Sequence, residues 1–89
     1  MRHRELLTSL LAVGNELKVE IPRAWLEEYV ESYGLGRDFV EKVLKCRPSE
    51  TPDYYVCTLA EKKGESIVLN VVMLKVLDEF LRDLQKMLG

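Results

Sequence analysis

Apolar side chains change their spacing several times along the chain, and each change predicts an element. Leu6, Leu7, Leu10, Leu11 and Val13 recur at steps of three and four, with Arg4, Glu5, Thr8 and Ser9 between them. That period predicts an amphipathic helix from about Arg4 to Val13. Gly14 and Asn15 follow, two residue types that adopt the left-handed conformation ending a helix at little steric cost. Leu17, Val19 and Ile21 then alternate with Glu16, Lys18 and Glu20, a period of two that predicts a short, half-buried strand. Pro22 suits the first turn of a second helix, where its missing N–H is no loss. Trp25, Leu26, Tyr29, Val30 and Tyr33 lie on one side of that helix, which ends at Gly34. Gly34, Leu35 and Gly36 form a tight turn into a third helix, Arg37 to Cys46, with Phe39, Val40, Val43 and Leu44 as its inner stripe. Pro48 and Pro52 close it, because the residue before a proline is pushed out of the helical region.

Tyr54 to Ala60 and Ile67 to Val72 are rich in aromatic and β-branched residues. Between them, Glu61, Lys62, Lys63, Gly64 and Glu65 read as a hairpin turn with glycine at the left-handed position. In that register Tyr55, Cys57 and Leu59, with Ile67, Leu69 and Val71, face one way. A competing reading takes Thr51, Pro52 and Asp53 as a helix start and Lys62, Lys63 and Gly64 as its stop. From about Val72 the spacing is helical again, and this last helix is the longest element.

At 89 residues, with 47% hydrophobic and 31% charged residues, the chain is sized and composed for one folded domain rather than a disordered segment. Within it, residues 1–72 form the expected core and 73–89 an appended amphipathic helix. The longest apolar run, Ile67 to Leu74, is interrupted by Asn70 and falls short of a membrane span. Met1, Arg2, His3 and Arg4 imitate the start of a signal peptide, but no convincing cleavage site follows, so the expected location is cytoplasmic. Cys46 and Cys57 are too few and too far apart for a zinc knuckle or a Cys-x-x-Cys redox pair. They read as two buried free thiols, or as a disulfide if the source is a hyperthermophile. Scarce Asn and Gln beside abundant Glu and Lys lean toward a thermophile.

The predicted order is helix, short strand, helix, glycine-bearing turn, helix, hairpin and long helix. This order resembles the winged helix-turn-helix superfamily. Glu31 to Lys45 is similar to its turn and recognition helix, and Tyr54 to Val72 to its strand, wing and strand. The resemblance implies an α+β fold with a three-helix core, a recognition helix in the DNA major groove and a wing beside it. Arg37, Lys42, Lys45 and Arg47 would then meet DNA, with Lys62 and Lys63 at the wing. Arg2, His3 and Arg4 make a further basic cluster. Against this, the net charge is -2, and Asp38 with Lys42 and Glu41 with Lys45 are four-residue ion pairs that an ordinary solvated helix also carries.

The last helix bears two apolar seams. Met73, Leu77, Phe80, Leu84 and Met87 form one, and Leu74, Leu77, Leu81, Leu84 and Leu88 the other. Two seams exceed what one small core requires, so one is expected on the domain and the other on a second copy, giving a homodimer through Met73, Leu77, Phe80, Leu81, Leu84, Met87 and Leu88. The alternative is a helix wrapped by its own chain. No nucleophile elbow, phosphate-cradling loop or metal-ligand cluster is present, and no catalytic role, cofactor or metal is expected. The reading is a small homodimeric DNA-binding regulator or chromatin-type factor. The alternative is a protein-interaction module or accessory subunit that binds no nucleic acid.

Overall fold

The computed structural model describes residues 9–88. β1 (Ser9–Val13) and β2 (Glu16–Pro22) form an antiparallel hairpin, and α1 (Arg23–Ser32) follows directly. A π-helical turn (Phe39–Val43) leads to β3 (Cys46–Pro48), β4 (Tyr54–Lys63), β5 (Ser66–Leu69) and α2 (Val71–Leu88). The strands make one antiparallel five-stranded sheet. β4 is its centre: β2 lies along one side, and β3 and β5 share the other end to end. β2 and β3, both antiparallel to β4, are parallel to each other, so α1 and the π turn form a crossover that steps over β4.

Alternation builds the core. Val19 and Ile21 of β2 and Cys57 and Leu59 of β4 point to the helix side and are buried, together with Leu26, Val30, Val40, Leu44, Met73, Val76 and Phe80. Among the described residues, no helix lies on the opposite face of the sheet. Asn70 fixes the start of α2: its Oδ1 accepts from the Met73 N–H at 3.1 Å, and its Nδ2 donates to the Val43 carbonyl at 3.0 Å. One side chain therefore caps α2 and ties it to the π turn.

Several expectations need correction. The predicted first helix is, over its described part, strand β1, with Leu10 opposite Val19 and Ala12 opposite Leu17; Arg4 to Thr8 lie outside the described residues, as do Arg2 and His3. Gly14, at φ +60°, is indeed left-handed, but with Asn15 it makes the two-residue turn of a hairpin rather than a helix stop. Pairing with β2 overrode a pattern that local spacing alone assigns to a helix.

The third helix shrinks to the π turn. Lys45, at φ 56°, ends it, and the chain continues as β3. Among the described residues the three-helix core of a winged helix is therefore not found, and a five-stranded sheet carrying two α-helices and one π turn takes its place. The two cysteines are not free: Cys46 and Cys57 face each other across β3 and β4 with Cα atoms 4.0 Å apart and form a disulfide.

The strand, turn and strand expected over 54–72 are present. Tyr55, Cys57 and Leu59 share the core side, Gly64 is left-handed at φ +66°, and Lys63 pairs with Ser66 across the turn. Val71, assigned there to a strand, instead opens α2.

Candidate interaction surface

α1 is held between two neighbours. On one flank its aromatic residues at four-residue spacing meet in succession, Trp25 stacked on Tyr29 at 5.0 Å and Tyr29 tilted by 53° against Tyr33 at 4.9 Å between ring centroids. Each carries its polar tip to α2. The Trp25 indole N–H donates to Asp83 at 2.9 Å, and the Tyr29 hydroxyl donates to Glu79 at 2.8 Å. Tyr33 reaches the same Glu79 carboxylate at 3.4 Å. Burial, and the bonded Glu79 carboxylate, raise the pKa of Tyr29 well above the usual tyrosine value.

The other flank of α1 carries Arg23 and Glu27. These share a cleft of about 330 Å³ with Arg37, Val40 and Glu41 of the π-turn region and with Tyr55. Tyr55 donates to Glu27 at 3.2 Å. Its pKa is raised by burial and by Glu27, against the opposing pull of Arg37 and Arg23.

α1 thus has the π-turn region on one flank and α2 on the other, and α2 itself begins beside the π turn, where Asn70 meets Val43. A step of about 100° per residue separates the flanks of α2. Met73, Val76 and Phe80 point into the core, Glu79 and Asp83 turn to α1, and Leu74, Leu77, Leu81 and Leu88 turn away from it. On that outer flank Leu81 is 44% and Leu88 51% exposed, while Leu74 and Leu77 are half-buried.

The margin of the sheet at β1 is also apolar and open. Register carries the helix-facing side from β2 to β1 through Leu10 and Ala12, and Leu10 is 63% exposed although its partner Val19 is fully buried. Leu17 and Leu69 continue the same face on the row Ala12, Leu17, Ala60, Leu69, and both are exposed. A third exposed group, Val43, Val68, Val71 and Val72, surrounds one cleft at the start of α2.

The six expected DNA-contacting cations are not gathered on one surface. Arg37 lines the acid-containing cleft beside Glu27 and Glu41. Lys42 is exposed on the π turn, and Lys45 borders the cleft formed by β4, β5 and α2. Arg47, opposite Val56, borders the cleft of Arg37 and also one on the uncovered face of the sheet, so these two alone of the six share a cleft. Lys62 and Lys63 are exposed at the far hairpin end. Of the residues expected at a helix-mediated contact, Met73 and Phe80 are inside the core, Leu77 and Leu84 are half-buried, and Leu81, Met87 and Leu88 are exposed.

Sequence reasoning missed the β1 edge and the aromatic ladder to α2, and gave the disulfide only as the alternative to free thiols. A signal for each was present: Leu10 to Val13 has no polar residue to form a helix's outer face, and the turn-forming run Ser49 to Asp53 separates two segments that each hold one cysteine. Trp25, Tyr29 and Tyr33 stand four apart.

The molecule is thus an α+β protein with an open-faced antiparallel sheet and an unfilled apolar margin. Comparison with family models, with curated proteins and with solved structures finds no match. Among the described residues no cluster of His, Cys, Asp and Glu could hold a metal ion, and no helix is long and apolar enough to cross a membrane.

Proposed function

We propose that this protein is a protein-interaction module, an accessory subunit that works within an assembly and catalyses no reaction. The observation that carries this reading is the exposed apolar surface: β1, Leu17 and the outer flank of α2 present large aliphatic side chains to solvent. Soluble monomers seldom expose contiguous patches of this kind, because each buried aliphatic side chain is worth about 1.5–3 kcal/mol. Nucleic-acid binding is less well supported. Its cations are dispersed over several surfaces, and a five-residue π turn offers no helix to lie in a groove. A nearly inaccessible disulfide, with Cys57 at 0% and Cys46 at 5% exposure, fits a cytoplasmic protein of a thermophile.

Two measurements on the full chain test the reading. Fluorescence of an apolar dye, read with and without Leu17→Asp and Leu81→Asp, reports whether the margin is accessible or already covered by association. Dye binding removed by the substitutions, or a molar mass above 10.3 kDa, supports the module; a monomer that binds no dye sinks it. Anisotropy of a labelled random duplex across a salt series, with Lys42→Glu and Lys45→Glu as control, is expected to show no binding. Salt-sensitive binding lost in that control would return nucleic acid as the partner.

A further inference from the structure

The hydrogen-bond pattern of the first hairpin specifies which backbone groups lie on the free edge of β1. The pair closing a two-residue turn exchanges its hydrogen bonds within the hairpin, and the pattern alternates from there. Val13, Leu11 and Ser9 thus bond to Glu16, Lys18 and Glu20, whereas the N–H and C=O groups of Leu10 and Ala12 point outward. Ser9 to Val13 contains no charge, no proline and no bulge, so it lacks the devices that keep an edge from pairing.

We infer that this edge receives β1 of a second copy, antiparallel, about a two-fold axis at Leu11. This inference rests on the interaction-module reading and names its partner. The hydrogen-bond pattern fits such an axis. The groups of Leu11 are already turned to β2, so Leu11 opposite the partner's Leu11 is the non-bonded pair at the centre. Leu10 and the partner's Ala12, and the reverse pair, then satisfy every outward N–H and C=O of both strands.

The side chains fit as well. On the helix side, the large Leu10 meets the partner's small Ala12. On the open side, Leu11 meets its own copy and Ser9 meets the partner's Val13. An uncharged strand meets no like charge when paired with itself.

The helix layer obeys the same axis. An axis normal to the sheet keeps both helix layers on the same side of the joined strands, and the flank of α2 bearing Leu74, Leu77, Leu81 and Leu88 is the apolar surface left to meet its copy there. A self-complementary interface of this kind closes after two subunits. It covers the bare strand and the bare helix flank together, and joins the two sheets into one.

Sedimentation of the full chain from about 1 to 200 μM, together with amide exchange at Leu10 and Ala12, tests this. The expected result is a dimer in which both amides are protected. Ala12→Pro removes an outward N–H that the monomer does not use, and Leu10→Lys places a charge on the edge. Each is expected to weaken dimerisation at least 10-fold while leaving the circular dichroism of the monomer unchanged, and Leu81→Asp with Leu88→Asp to weaken it as well.

A monomer throughout the range overturns the inference. If that monomer still binds the apolar dye, the module reading stands and a different protein covers the margin. Protected Leu10 and Ala12 amides in a monomer place another segment on the edge and also overturn it. So does a dimer indifferent to Ala12→Pro and Leu10→Lys.

Discussion

α2 has two flanks, and they are built from different materials. Toward α1 it offers Glu79 and Asp83, whose carboxylates accept from Tyr29, Tyr33 and Trp25. On the other flank it offers leucines, of which Leu81 and Leu88 are covered by no described element. The first flank is an interface completed within one chain: Trp25 and Tyr29 half-bury their rings, Tyr33 extends the row into solvent, and all three polar tips are paired at the rim. The second is a bare aliphatic surface, whose burial depends on shape and water exclusion alone. A contact made within the chain is specified residue by residue. The open flank specifies only that something apolar must cover it, and direction there comes from the backbone groups of β1.

Substitutions along α2 probe that contrast, beginning with the residue both flanks share. Phe80 is 1% exposed and meets Trp25 edge-on at 5.1 Å. Phe80→Ala should cost about 3–5 kcal/mol in urea unfolding, through lost transfer energy and the cavity left behind. Next is the covalent tie on the closed side of the sheet. The Cys46–Cys57 bridge spans 11 positions, so replacing both cysteines with alanine should lower stability by roughly 2–4 kcal/mol by freeing the unfolded chain. A loss near zero would mean that strand pairing alone holds β3.

On the closed flank, Tyr29→Phe removes a bond to a carboxylate and should cost about 1–2 kcal/mol. The same residue predicts a pH dependence. Its folded pKa is raised, so in the folded state it keeps its proton at a pH where the unfolded tyrosine, near about 10, has lost one. Stability is therefore full below about pH 10 and falls as pH rises through the folded value; Tyr29→Phe should flatten that fall. Asn70→Ala removes the α2 cap and its tie to Val43, and should cost about 1 kcal/mol by thermal unfolding.

The smallest effect belongs to the open flank. Leu81→Ser and Leu88→Ser should change the stability of the isolated chain by no more than about 0.5 kcal/mol, measured at a concentration where it does not associate. A loss of several kcal/mol would show that the flank is already packed within the monomer and that the two flanks do not differ.

Legibility in the sequence followed the range of the interaction. The strand Glu16–Pro22, the helix after Pro22, the hairpin at Gly64 and the last helix were readable because their alternation or helical spacing is set by a single buried side. Ser9–Val13 was misread because both of its faces are apolar and the spacing of Leu6, Leu7, Leu10 and Leu11 fits a helix equally well. Cys46–Pro48 was misread as a helix end because a three-residue strand has too few positions to show a period; only its partner in β4 makes it a strand. The cations were legible as residues but not as a surface. Arg37 and Lys45 are eight positions apart in sequence yet border different clefts, because the π turn and the left-handed Lys45 redirect the chain between them.

By itself the sequence determined the local terms: where the backbone turns left-handed at Gly14 and Gly64, which alternating side chains seek the interior, and that the last helix has more apolar surface than one face can use. Tertiary structure alone decided that β1 is a strand, that Cys46 meets Cys57, and which flank of α2 stays open. These outcomes are pairings between segments distant along the chain. Their energy exists only once both partners are in place, and a period read along one segment carries no record of what lies across from it.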